Sequence, residues 1–86
     1  MDVREHGTPA NRTSTGTVKS GAGHLLGFYV NSTTAGTIVL YDATSATNAI
    51  SGTITPAVGF HRFPAEFATG LHVVLGGTID VTFFYR

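Results

Sequence analysis

The sequence predicts an all-β domain, a small β-sandwich or jelly-roll-like unit of about six to eight short antiparallel strands. Three observations predict it. Runs rich in Val, Ile, Thr, Phe and Tyr recur about every ten residues, the spacing of a sandwich or small barrel. The breaks between them carry Gly, Ser, Asn, Ala and Pro, which supply turn geometry. No helical window competes: the best, residues 64–72, is only about one and a half turns between Pro64 and Gly70.

Residues 1–14 are polar and aperiodic, with Gly7 and Pro9 opposing a helix, and are read as a flexible N-terminal arm that orders against a neighbour. Residues 15–86 are read as one sandwich domain. Within it the strand candidates are residues 15–19, 24–31, 36–42, 48–55, 59–67 (weakened by Pro64), 71–75 and 78–86. Residues 31–36 are read as the turn between the second and third candidates. Gly76-Gly77 is read as a tight hairpin between the sixth and seventh, since glycine pairs suit the primed turns.

Alternation then assigns faces. Leu26, Phe28 and Val30 oppose Leu25 and Tyr29; Ile38 and Leu40 oppose Val39 and Tyr41. Leu71, Val73 and Leu75 oppose His72 and Val74; Ile79, Val81, Phe83 and Tyr85 oppose Asp80, Thr82, Phe84 and Arg86. The first set of each is the expected core. The second set is mixed but rich in aromatic and apolar side chains. A small sandwich has no third layer to cover them, so they are read as an oligomer or partner interface. The candidate interface residues are Leu25, Tyr29, Val39, Tyr41, Phe60, Val74 and Phe84, with Arg62 beside them and Val3, Arg4 and Arg12 from the arm.

Composition narrows the function classes. Five basic and five acidic residues cancel, and only 12% of the 86 residues are charged. Such a chain has no electrostatic footprint for nucleic acid or an anionic membrane. No apolar run approaches the roughly 20 residues of a membrane span. The first residues, "MDVREHGTPANRTSTG", lack the apolar core of a secretory signal, so synthesis in a cytoplasm is expected. Cysteine is absent, so no disulfide braces this small core.

Chemistry-bearing residues form no recognisable constellation. His6, His24, His61 and His72 show no tight ligand spacing. His61 and His72 could meet across neighbouring strands, but without a motif they read as surface imidazoles, and no metal or cofactor is expected. Asp42 reads as a strand-end or turn residue and Asp80 as a solvent-face residue. Arg62 and Glu66 fall on one face of their strand and could pair there. "KSGAGHLLG" lacks the order of a phosphate loop, and no helix follows it. The sequence is read as non-enzymatic.

Three segments carry a resemblance: "GFYVNSTTAGTIVLYD", "FATGLHVV" and the ending "GTIDVTFFY". Across residues 16–86 the chain resembles short β-rich proteins encoded among the head genes of tailed bacteriophages. The resemblance implies a capsid decoration (cement) protein, a homotrimer on the virion surface that binds the major capsid protein lattice and stabilises the head. The alternative is a head-fibre or tail-associated receptor- or carbohydrate-binding module, with Tyr29, Tyr41, Phe84 and Tyr85 able to stack on sugars.

Overall fold

The computed structural model describes residues 7–86. They form five strands: β1 (Thr8–Arg12), β2 (Gly16–Ser20), β3 (Gly23–Tyr41), β4 (Gly59–Phe67) and β5 (Gly70–Tyr85). All pairings are antiparallel. The sheet order is β1-β5-β3-β4, with β2 also on β5. The chain is all-β, as the residue pattern predicts.

The long central pair, β3 and β5, organises everything else. The second and third strand candidates are one strand of 19 residues, and the sixth and seventh are one strand of 16. They pair from Leu25↔Tyr85 to Tyr41↔His72. A straight β3 would be about 60 Å long, yet the longest extent of the molecule is 32 Å. Both strands therefore bend. The bend falls where turns were expected. The register slips between Val30 and Ser32 and again between Thr34 and Thr37, and it faces Gly76, Gly77 and Thr78 of β5. Ala35 and Gly77 take positive φ, 54° and 65°. The Thr33 hydroxyl accepts the Gly36 N–H at 3.0 Å, and Gly36 is buried against Ile79.

The two expected hairpins are corrected accordingly. Residues 31–36 and Gly76-Gly77 are facing corners of one folded strand pair. Turn-forming residues also supply the bulges and positive φ that a sharply bent strand requires. Each half-strand finds its partner across the sheet, not in the next stretch of sequence.

Folding at this corner makes two layers. The first holds β1, the later half of β5, the early half of β3, and β4. The second holds β2, the early half of β5 and the later half of β3. Counted by layer, β3 and β5 contribute two segments each and the other strands one, so the sandwich has seven. Residues 48–55, expected as a strand, border the second layer through the isolated bridges Ile38↔Ile54 and Tyr41↔Ala49, with no continuous ladder. There the Ser51 hydroxyl accepts the Leu40 N–H at 3.0 Å, a side-chain bond where a ladder bond would run.

The end opposite the corner is closed by links between layers. Gly23, at the start of β3, pairs with Phe67. Asp42, just past its other end, accepts backbone N–H bonds from Ala68 (3.0 Å), Thr69 (2.9 Å) and Gly70 (3.4 Å). Both ends of β3 thus meet the same β4–β5 turn. Asp42 is a strand-end residue, as expected, and it also joins the layers. The Thr69 hydrogen bond, then the Ala68 one, holds its carboxyl below the usual carboxylate range; desolvation opposes this and Gly70 adds to it.

The core lies between the layers: Leu25, Phe28, Val30, Ile38, Leu40, Phe67, Leu71, Val73, Ile79, Val81 and Phe83. Most of the alternation holds, but Tyr85, expected inside, is half-buried and outside the core cluster, and the start of β3 is reversed. Leu25, expected outside, is buried at 1% exposure, while Leu26 is only half-buried. A bulge between Leu25 and Gly27 reverses the parity of β3 at its start. The arm boundary is also corrected. Residues 8–12 form an edge strand on β5, from Thr8↔Tyr85 to Arg12↔Val81. Its side chains show no apolar period because an edge strand gains its place through backbone hydrogen bonds. Residues 1–6 of the expected arm, with Val3 and Arg4, lie outside the described residues.

Candidate functional site

A two-layer sandwich has two outer faces, and the expected interface residues divide between them. On the second layer, Val39 pairs with Val74 and Tyr41 with His72. The Tyr41 and His72 rings stand 6.2 Å apart. Thr17, opposite His72 on β2, lies 3.1 Å from its Nδ1 and donates to Thr44 O at 3.2 Å. All four paired residues are half-buried, and none is a fixed charge.

On the first layer, Tyr29 pairs with Phe60 of β4 and Thr82 of β5, and Gly27 pairs with Arg62 and Phe84. Phe60 and Phe84 sit on strands separated by β3, about 9.6 Å apart in backbone terms. Their ring centroids are nevertheless 6.2 Å apart, edge to face. Both rings therefore lean inward over Gly27. A Cβ at Gly27 would come within 2.5 Å of the His61 backbone oxygen and 2.9 Å of Phe60 Cζ, so glycine admits both the close approach of β4 and the ring tip. Phe60 remains 56% exposed and Tyr29 43%; with Val58 at 61%, just before β4, they are the exposed large apolar side chains among the described residues. Phe60 and Tyr29 are register partners on this face.

A polar group adjoins this aromatic one. Asp80 Oδ1 accepts from Asn11 Nδ2 at 2.6 Å and Asn31 Nδ2 at 3.2 Å. Thr82 Oγ1 accepts from the same two amides at 3.2 and 3.1 Å. Three strands, β1, β5 and β3, thus hold one side-chain ladder beside Tyr29. No described residue occupies Asp80 Oδ2 or the side-chain oxygens of Asn11 and Asn31.

The remaining expected site residues fall elsewhere. Leu25 belongs to the core and is withdrawn as an interface residue. Arg12 pairs with Val81 and curls over Gly16, donating from Nη2 to Thr15 O at 3.3 Å, so it lies at the edge bend and not on an outer face. Arg62 is exposed on the first face. His61 stacks on Phe28 at 5.3 Å with its Nε2 2.7 Å from Ala57 O, and β4 pairs only with β3. His72 lies in the other layer, so the two imidazoles do not meet. Glu66 approaches His24 Nδ1 at 4.0 Å on the surface. Among the described residues no group of three or more His, Cys, Asp or Glu is placed to hold a metal ion, and no helix is long and apolar enough to cross a membrane.

Asn11 was not legible as a member of the first face, because it lay in the supposed arm. Asn31, Asp80 and Thr82 did carry a signal, since they continue the outward parity of Tyr29 and Phe84. Comparison with family models, with curated proteins and with solved structures gives no match.

Proposed function

We propose that the chain is a non-enzymatic binding module, a decoration protein of a tailed-bacteriophage head. Its seat on the major capsid protein lattice is the outer face of the second layer. The observation that carries the reading is the row itself: Val39, Val74 and Tyr41, half-buried, uncharged and placed across β3 and β5 by the sheet register. Apolar, uncharged patches make the cores of protein–protein contacts. The sheet edges are poorer docking sites, because Pro9 on β1 and Pro64 on β4 each remove a backbone donor. The resemblance of residues 16–86 to phage head proteins supports the virion surface and a homotrimer. On this reading the chain needs no cofactor, nucleic acid or membrane.

The test is co-sedimentation with heads assembled from the major capsid protein encoded in the same genome. The chain should sediment with heads in a fixed ratio. Replacing Val39 and Val74 together by Thr, which preserves strand propensity, should weaken attachment by about tenfold or more. A chain that stays in the supernatant would refute the decoration reading. Attachment that survives the double replacement would refute the seat.

A further inference from the structure

We infer that the outer face of the first layer is a binding site for a neutral saccharide, formed where the Phe60–Tyr29 aromatic group meets the Asn11–Asp80–Asn31 ladder. This inference does not rest on the decoration reading. It concerns the opposite face of the sandwich and would hold equally for a module carried on a fibre.

A pyranose presents an apolar C–H face and a rim of hydroxyl groups. Its receptor therefore needs a fixed aromatic surface and polar partners set beside it, not beneath it. Both are in place here. Phe60 is held with its ring tip over Gly27 and in edge contact with Phe84, and it is still 56% exposed. Tyr29, the pairing partner of Phe60, extends this surface toward β5. Next to Tyr29, the amide nitrogens of Asn11 and Asn31 are both committed to Asp80 Oδ1 and Thr82 Oγ1. That commitment turns Asn11, Asn31 and Asp80 into oriented acceptors, and sugar hydroxyls are donors. The ladder is thus preorganised, so ligand binding need not order these side chains again.

Size and charge narrow the class. From Thr82 through Tyr29 to Phe60 the row crosses two strand spacings, about 9.6 Å, enough for one or two sugar rings. The Asp80 carboxylate faces the site, so an acidic sugar would meet a like charge at close range. Arg62, in the neighbouring row beside Gly27, can donate to a ring hydroxyl at the far end. A flat protein partner would also cover Phe60, but it would have to match the ladder acceptors that no described residue occupies with donors of its own. Saccharide hydroxyls supply those at any orientation.

The experiment is a titration of the isotopically labelled full chain with maltohexaose, cellohexaose and chitotetraose, followed by amide and side-chain NMR. At about 10 mM, above the millimolar Kd usual for a shallow open site, at least one should shift residues 11, 29, 31, 60, 80 and 82 selectively. Phe60→Ala should weaken that binding by about tenfold or more. Asp80→Ala should weaken it severalfold, and the Val39/Val74 double replacement should leave it unchanged. Since Phe60 is more than half exposed, its loss should leave the fold intact, which the same spectra report. No selective shift with any of the three sugars would overturn the inference. So would shifts centred on the second layer, or binding that survives Phe60→Ala. Loss of binding in the Val39/Val74 variant with an intact spectrum would place the site on the wrong face.

Discussion

Replacing Gly77 separates a folded strand pair from a simple hairpin. In an isolated two-residue hairpin, Asn tolerates positive φ nearly as well as glycine. In this structure Gly77 has φ of 65° and faces β3, and a Cβ there would run into the backbone of Ala35, lying 2.9 Å from its carbonyl carbon and 3.1 Å from Gly36 Cα. The left-handed conformation costs an alanine about 1–2 kcal/mol. Forcing backbone apart in a packed corner adds about 1–3 kcal/mol. Gly77→Ala should therefore lose about 2–5 kcal/mol, and Gly77→Asn nearly as much, because the steric part does not depend on φ preference. A chain of 86 residues has a total stability of about 4–13 kcal/mol, so either variant would be visibly weakened. The melting temperature should fall by roughly 8–40 °C. Gly52 is the control: its Cβ would meet nothing within 4 Å, and Gly52→Ala should change stability by less than about 0.5 kcal/mol. Urea unfolding followed by far-UV circular dichroism measures all three. A Gly77→Asn variant as stable as Gly52→Ala would refute the corner and restore the hairpin.

Three further outcomes follow from the packing. Leu25→Ala should cost about 3–5 kcal/mol in urea unfolding and Leu26→Ala much less, because the bulge puts Leu25 at 1% exposure; equal losses would remove the bulge. Phe83→Ala, at a fully buried site, should cost about 3–5 kcal/mol, whereas Phe84→Ser should keep the native circular dichroism spectrum; the reverse order would invert the facing of β5. Asp42→Asn should flatten the acid limb of the stability–pH curve. The folded carboxyl sits below its unfolded value, so the unfolded chain takes up its proton first. That stabilisation is complete above the unfolded carboxylate range near pH 4 and is lost as pH falls through the lower folded value. An unchanged acid limb would show that the Thr69 and Ala68 bonds are not formed in solution.

The fold class and most of the core were legible because both rest on local chemistry. Strand-forming side chains and their alternation placed Phe28, Val30, Ile38, Leu40, Val73, Val81 and Phe83 inside without knowledge of any pairing. The connection between strands was not legible. Residues 31–36 carry the composition of a turn, and the same residues make a bulged corner once β5 supplies a partner on both sides of it. Strand β1 was hidden for a related reason. Thr8, Pro9 and Asn11 are exposed, so the backbone ladder to β5 leaves no mark on the side-chain pattern. The candidate site shows the same division. Outward parity found Tyr29, Phe60 and Phe84. Only the sheet order shows that Val39 and Val74 belong to a different face, and that Asn11 stands beside Asp80 across 69 positions of sequence.

The central functional claim is that the two faces of this sandwich have different occupants. Cryo-electron microscopy of heads assembled with and without the chain tests it most directly. Added density should appear on the shell exterior, seated through Val39, Val74 and Tyr41, with Phe60 and Tyr29 open to solvent. Heads without added density, or density that buries Phe60 against the shell, would contradict it.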